Sequence, residues 1–123
     1  MQQNGYKVGK MNAMTETRPA SAVPDTVPVV FEAVVKKQAI AATYNRGTVT
    51  LAPHIVYTKH GEIYLDAITL ERDGKPPKEE KVGAFKLAGL SGLRITPRRF
   101  QPSDLFVPGD EKYAGVTLLV IEA

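Results

Sequence analysis

The spacing of hydrophobic positions changes near residue 39. Before it, the stretch VVFEAVVKKQAI, which begins at Val29, has the three-to-four-residue period of an amphipathic helix. Asp25 or Thr26 is placed to cap that helix, although its valines also suit a strand. The predicted apolar face holds Val30 or Phe31, Val34, Val35 and Gln38, and the polar face holds Glu32, Lys36 and Lys37.

After residue 39 the period is two, which is typical of β-strands. Glycine-, asparagine- and proline-containing turns separate the alternating runs. A helix followed by closely spaced strands predicts a mostly β fold, a small barrel or strongly bent sheet over residues 28–123. Residues 1–27 lack any period and predict a mobile tail. The predicted strands are Ala39–Tyr44, Thr48–Tyr57, 63–70, Lys81–Leu87, Gly92–Thr96 and Gly115–Glu122.

Two features of these strands leave alternatives open. Pro53 lies inside the second strand, so that strand lies at a sheet edge or carries a bulge there. The last strand, GVTLLVIE, holds five apolar residues in six and would be an aggregation hazard as a free edge. It therefore either closes the sheet or pairs with another subunit.

The distribution of charge is more informative than its total of +3. No Asp or Glu occurs between Ala33 and Gly61, whereas Lys36, Lys37, Arg46 and Lys59 do, beside His54 and His60. Arg94, Arg98 and Arg99 form a second basic cluster. Such patches attract phosphates or acidic partners, and the alternative is a solvated basic face without a partner.

Candidate chemistry is sparse. There is no cysteine, so disulfides and thiolate sites are excluded, and a reducing cytoplasm is the expected location. No apolar run is long enough to span a membrane, and no secretory signal precedes the domain. His54 and His60 lack a metal-binding spacing, and no serine lies in a nucleophile elbow. We therefore expect neither a metal site, nor a cofactor, nor an enzyme.

Aromatic residues near the cations favour binding instead. Tyr44, Tyr57 and Tyr64 lie on successive predicted strands, where exposed rings could stack on bases. Tyr44 and Tyr57 suit the core better, whereas Tyr64 shares its strand face with Asp66 and suits packing or function equally. Asp66 itself either orients a basic residue or faces water.

Taken with its flanks, the hairpin around Ile63-Tyr64-Leu65 resembles the WYL domain family, which is named for a Trp-Tyr-Leu strand motif. Gly61 precedes the motif, and the run from Thr48 to His54 is similar to the family's second strand. Phe85-Lys86-Leu87 and the run from Leu93 to Phe100 resemble its later steps. The resemblance covers residues 31–106.

The resemblance implies an Sm/SH3-like small β-barrel with one N-terminal helix. The family occurs mostly in bacterial transcriptional regulators and phage-defence regulators, where it senses nucleotides or single-stranded nucleic acid. It thus implies a ligand-binding module linked to transcription regulation, with a regulatory protein partner or a homodimer. The sequence itself predicts a cytoplasmic location without membrane association. We expect the ligand or nucleic-acid site to comprise Tyr64, Arg46, His54, Lys59, Arg98 and Arg99.

An alternative function follows from two glycines. Gly83 and Gly89 occupy positions where the family carries ligand-facing arginines, and Lys81, Arg94 and Arg98 are candidate substitutes. A domain without those arginines would serve only as a protein-interaction or oligomerisation unit. The apolar last strand suits that alternative.

Overall fold

The computed structural model describes residues 25–123, which form one α-helix and six β-strands. The predicted tail over residues 1–27 therefore lies almost wholly outside the described residues. The helix begins two residues before the predicted start of the domain, and short 3₁₀ turns occupy Leu87–Gly89 and Glu111–Tyr113. The elements are α1 (Thr26–Lys36), β1 (Gln38–Tyr44), β2 (Gly47–Lys59), β3 (Glu62–Arg72), β4 (Val82–Lys86), β5 (Ser91–Arg99) and β6 (Thr117–Val120).

Helix α1 packs an apolar stripe against β1, β2 and β5. Val27, Val30, Ala33 and Val34 are buried in this stripe. The prediction that Val35 shares this face is wrong, because its side chain is 68% exposed. Successive helical residues are about 100° apart around the axis, and a stripe that extends back to Val27 turns Val35 to the solvent side. The helix ends where Lys37 adopts a left-handed conformation.

Three two-residue turns lie at strand ends: two connect β1 to β2 and β2 to β3, and the third follows β3. Asn45-Arg46, His60-Gly61 and Asp73-Gly74 each have two positive φ angles, as the type I′ turn requires. This turn matches the twist of its strands and sets the register, with Tyr44 opposite Gly47 and Lys59 opposite Glu62.

The strands form one antiparallel sheet in the order β4-β3-β2-β1-β5, with β6 added to β2. Strand β3 pairs with β2 from Val49 to Lys59 and so occupies one edge of β2. On the other edge, β1 pairs with the first part of β2, and β6 pairs with its last part. The last predicted strand therefore pairs within the chain, although its regular part has only four residues.

Pro53 lies in the centre of the sheet, so the edge position proposed for its strand is wrong. The alternative, a local irregularity, is confirmed by a register shift between β2 and β3 at residues Pro53 and Ile55. Pro53 also falls between the segments of β2 that pair with β1 and with β6.

The sheet is strongly curled but not closed. Strands β1 and β4 are three positions apart, about 14 Å in a flat sheet. Nevertheless, Tyr44 on β1 and Phe85 on β4 have ring centroids only 5.2 Å apart. Within residues 25–123, β4 and β5 remain the unpaired ends of the strand order, so a closed barrel is not confirmed. The mostly β fold with one helix is confirmed.

In this same range, no helix has the length and apolar character that a membrane crossing requires.

Candidate functional site

A buried carboxylate links the sheet to the segment that follows β5. Asp66, on β3, is fully buried. Its Oδ1 accepts a hydrogen bond from the Tyr57 hydroxyl at 2.7 Å, and its Oδ2 accepts one from the Tyr113 hydroxyl at 2.6 Å. The ammonium of Lys112 donates to Oδ2 at 2.9 Å. Three donors thus offset the cost of removing this charge from water.

This network also affects the acidity of its two tyrosines. Burial raises the pKa of Tyr57 and of Tyr113, and the hydrogen bond to Asp66 and its negative charge raise each pKa further. Both hydroxyls therefore remain protonated donors at neutral pH. Of the two sequence interpretations of Asp66, the one in which it orients a basic residue is confirmed, and that residue is Lys112.

A pocket of about 340 Å³ opens beside this network at the β2–β3 turn. Its volume is in the range of small-ligand sites. The Lys112 ammonium lies 5.9 Å from the Tyr57 ring centroid and forms an ion pair with the Asp66 carboxylate. Lys112, one member of this ion pair, thus forms part of the pocket wall. The pocket is lined by Tyr57, Thr58, Lys59, His60, Lys112 and Val116.

Two of the predicted site residues meet next to this pocket. Tyr64 is half-buried, and its ring stacks on Tyr57 with a centroid separation of 5.9 Å. The Lys59 ammonium lies 5.9 Å from the Tyr64 ring centroid, within cation–π range. Tyr64 does not line the pocket itself, but it supports the pocket wall formed by Tyr57.

His54 lies in the core, away from any ligand surface. It is 1% exposed and packs between the rings of Phe100 and Phe106. Its Nε2 accepts the backbone N–H of Ser103 at 3.0 Å, so the neutral ring donates from Nδ1 to the Ala52 carbonyl at 2.8 Å. Burial lowers the pKa of His54 from its usual 6.5, and the hydrogen bond to Ala52 opposes that shift. Both nitrogens are engaged in the fold.

The three predicted arginines lie away from the pocket. Arg46 is in the β1–β2 turn, at the opposite end of β2 from Lys59. Arg98 forms an ion pair with Glu71 at 2.9 Å, and Arg99 is exposed opposite Gln38. The structure thus brings Tyr64 and Lys59 together and leaves Arg46, Arg98 and Arg99 elsewhere.

Sequence reasoning missed Lys112 and Tyr113. Both lie in a stretch without strand or helix period, and 46 and 47 residues separate them from Asp66. The one available signal was Asp66 itself, a carboxylate inside a regular strand, since a buried charge requires partners.

The lining of the pocket is basic and aromatic. Over residues 25–123, no group of three or more histidine, cysteine, aspartate or glutamate side chains is placed to hold a metal ion. Lysine ammonium groups beside aromatic rings suit an anionic ligand with an aromatic part.

In comparisons with known proteins, no family model, no curated protein and no solved structure matches the chain. The resemblance to the WYL domain family therefore stays a prediction from the residues quoted for it.

Proposed function

We propose that this chain is a non-catalytic binding module for a nucleotide or a single-stranded nucleic acid, and that it acts in transcription regulation. The pocket at the β2–β3 turn is the proposed site. In this proposal, the curled open sheet corresponds to an Sm/SH3-like barrel of the WYL type. Strand β6 pairs with the same edge of β2 as β1 does.

One observation carries the proposal: two lysines from distant parts of the chain meet at one pocket lined by a tyrosine. Lys59 comes from the end of β2 and Lys112 from the segment after β5. A phosphate in this pocket would neutralise the ammonium groups, and a base that extends beyond the pocket would contact the partly exposed ring of Tyr64 next to it.

The ion pair of Lys112 sets the strength of this site. Asp66 already partly neutralises Lys112, whose side chain is 48% exposed. Lys59 has no ion pair within the part of the chain that the structure describes. Lys59 therefore carries most of the anion affinity, and Lys112 contributes geometry as well as charge.

The test is binding of a fluorescent oligo-dT and of mononucleotides, measured by anisotropy and calorimetry at about 50 mM salt and above. Lys59→Gln should weaken binding and reduce the salt dependence by about one phosphate contact. Lys78→Gln, an exposed lysine outside the pocket, removes the same charge and should leave binding nearly unchanged. Absence of binding by the unmodified protein at the lower salt would reject the proposal.

A second candidate function, self-association, has one observation in its favour. Leu118 and Val120 on β6 are 46% and 36% exposed. Strand β6 pairs with β2 along one edge, and no strand within residues 25–123 covers its other edge. Sedimentation at several concentrations should then show a dimer that Leu118→Glu dissociates, whereas a concentration-independent monomer would contradict this function.

A further inference from the structure

The turn after β3 holds two cations next to each other. Arg72 and Lys75 exchange two backbone hydrogen bonds, of 2.8 Å and 3.0 Å, across the Asp73-Gly74 turn. Asp73 and Gly74 have φ angles of 52° and 81°, so the turn is a closed type I′ turn. Arg72 and Lys75 are therefore directly opposite, and their Cβ atoms are about 5 Å apart on the same face.

Like charges in this position repel each other. Among residues 25–123, no ion pair includes Arg72 or Lys75. The Asp73 carboxylate lies beside the Arg72 guanidinium, since Oδ1 of Asp73 and Nη2 of Arg72 are 3.1 Å and 3.3 Å from the position that a Cβ on Gly47 would take. Its Oδ1 also accepts the backbone N–H of Thr48 at 3.0 Å. Asp73 thus offsets part of the charge of Arg72, and a bound anion would relieve the remaining repulsion between Arg72 and Lys75.

Both cations line a second cavity, of about 630 Å³, between the ends of β3 and β4. Lys81 adds a third cation, and Glu79 adds a carboxylate besides Asp73. Pro76 and Pro77 form part of the wall and restrict the loop backbone. The lining holds three cations and two carboxylates, so positive charge exceeds negative charge by one.

We propose that this cavity is a separate binding site for phosphate groups that carry more than one negative charge. The Arg72 guanidinium matches two phosphate oxygens with its planar fork, and the ammonium groups of Lys75 and Lys81 supply point charges. A multiply charged anion is favoured over a single carboxylate because its several oxygens can contact all three cations at once.

This site is independent of the pocket at the β2–β3 turn and does not rest on the function proposed for it. Arg72 is opposite Val49, near the start of β2, whereas Lys59 is the last residue of that strand. The two linings have no residue in common. The phosphate source is either a free polyphosphate compound or the backbone of a nucleic acid.

The test is titration of the full chain with inorganic pyrophosphate, followed by calorimetry and by phosphorus NMR. We expect saturable binding that Lys75→Gln weakens by about tenfold, as the loss of one charge-assisted hydrogen bond implies. Lys78→Gln is the matched control, because Lys78 is exposed in the same loop but does not line the cavity. Lys75→Arg should retain binding.

Oligo-dT added to the pyrophosphate complex identifies the source of the phosphate. Displacement of pyrophosphate that persists in the Lys59→Gln variant supports nucleic-acid phosphates, and lack of displacement supports a free compound. Without any ligand, Lys75→Gln should raise the melting temperature, since it removes the repulsion from Arg72. Lack of saturable pyrophosphate binding at about 1 mM, or equal weakening by Lys75→Gln and Lys78→Gln, would overturn the site.

Discussion

The hydroxyl of Tyr113 donates a 2.6 Å hydrogen bond to the carboxylate of Asp66, although the two residues are 47 positions apart. This bond, with that of Lys112, attaches the segment after β5 to the face of β3. The same segment contributes Lys112 to the pocket at the β2–β3 turn. The network thus determines both local stability and the shape of the candidate site.

Replacement of Asp66 by asparagine should destabilise the fold strongly. The amide keeps the volume of the carboxylate but removes the charge that pairs with Lys112. Its NH₂ group cannot accept a hydrogen bond, so one buried tyrosine hydroxyl loses its acceptor. We expect a loss of about 3 kcal/mol in the free energy of unfolding, measured by urea denaturation. Asp104→Asn, at an exposed position, is the control and should stay within about 0.5 kcal/mol. Equal effects of the two substitutions would show that the network is unimportant.

His54 should make the stability fall in mild acid. Burial lowers its pKa in the folded state, so the unfolded chain binds a proton more readily. The stabilising contribution is complete above the unfolded pKa of about 6.5 and is lost as the pH falls through the folded pKa. Protonation at Nε2 would also remove the acceptor of the Ser103 N–H.

The measurement is the free energy of unfolding at several pH values from about 7.5 to about 5. His54→Gln should flatten this part of the curve. His60→Gln is the control, and because His60 is exposed, this variant should keep the loss of stability in mild acid. A curve of the same slope in wild type and His54→Gln would exclude His54 as the cause.

Replacement of Arg46 by glycine should stabilise the β1–β2 turn. Arg46 has a φ of 66°, a left-handed conformation that costs a non-glycine residue about 1–2 kcal/mol. Glycine loses more backbone entropy on folding, which offsets part of the gain, so we expect about 0.5 kcal/mol of net stabilisation. Thr43→Gly, in extended β1 nearby, should instead destabilise the protein by about 1 kcal/mol.

Thermal or urea unfolding of both glycine variants checks this prediction. The nucleotide binding proposed for the β2–β3 pocket should be unchanged in Arg46→Gly, because Arg46 is at the other end of β2. A loss of stability in that variant would mean that the Arg46 side chain contributes contacts that outweigh its backbone strain.

The positions of the strands were largely accessible from the sequence because the signals for them are local. Two-residue alternation and turn residues such as His60-Gly61 lie within a few positions of the strands that they connect. The pairing of β6 with β2 was less accessible, since its partners Ile55 and Val120 are far apart along the chain.

The candidate site was less predictable for the same reason. Tyr64 and Lys59 were found because they lie on one hairpin. Lys112 was missed because it lies in an irregular segment, and its position depends on the ion pair with Asp66. His54 was placed among the ligand residues by its neighbours in sequence, but tertiary packing against Phe100 and Phe106 decides its position.

The phase of helix α1 gives the last prediction, on two adjacent valines. Val34 is 1% exposed and packs in the core, whereas Val35 is 68% exposed. Val34→Ala removes two buried methyl groups and leaves a cavity, so we expect a loss of about 2 kcal/mol in the free energy of unfolding. Val35→Ala should be neutral or slightly stabilising, because alanine has the higher helix propensity. The two variants remove the same atoms one position apart, so urea unfolding of both measures burial alone. Similar losses for both variants would mean that the helix is rotated so that Val35 also packs in the core.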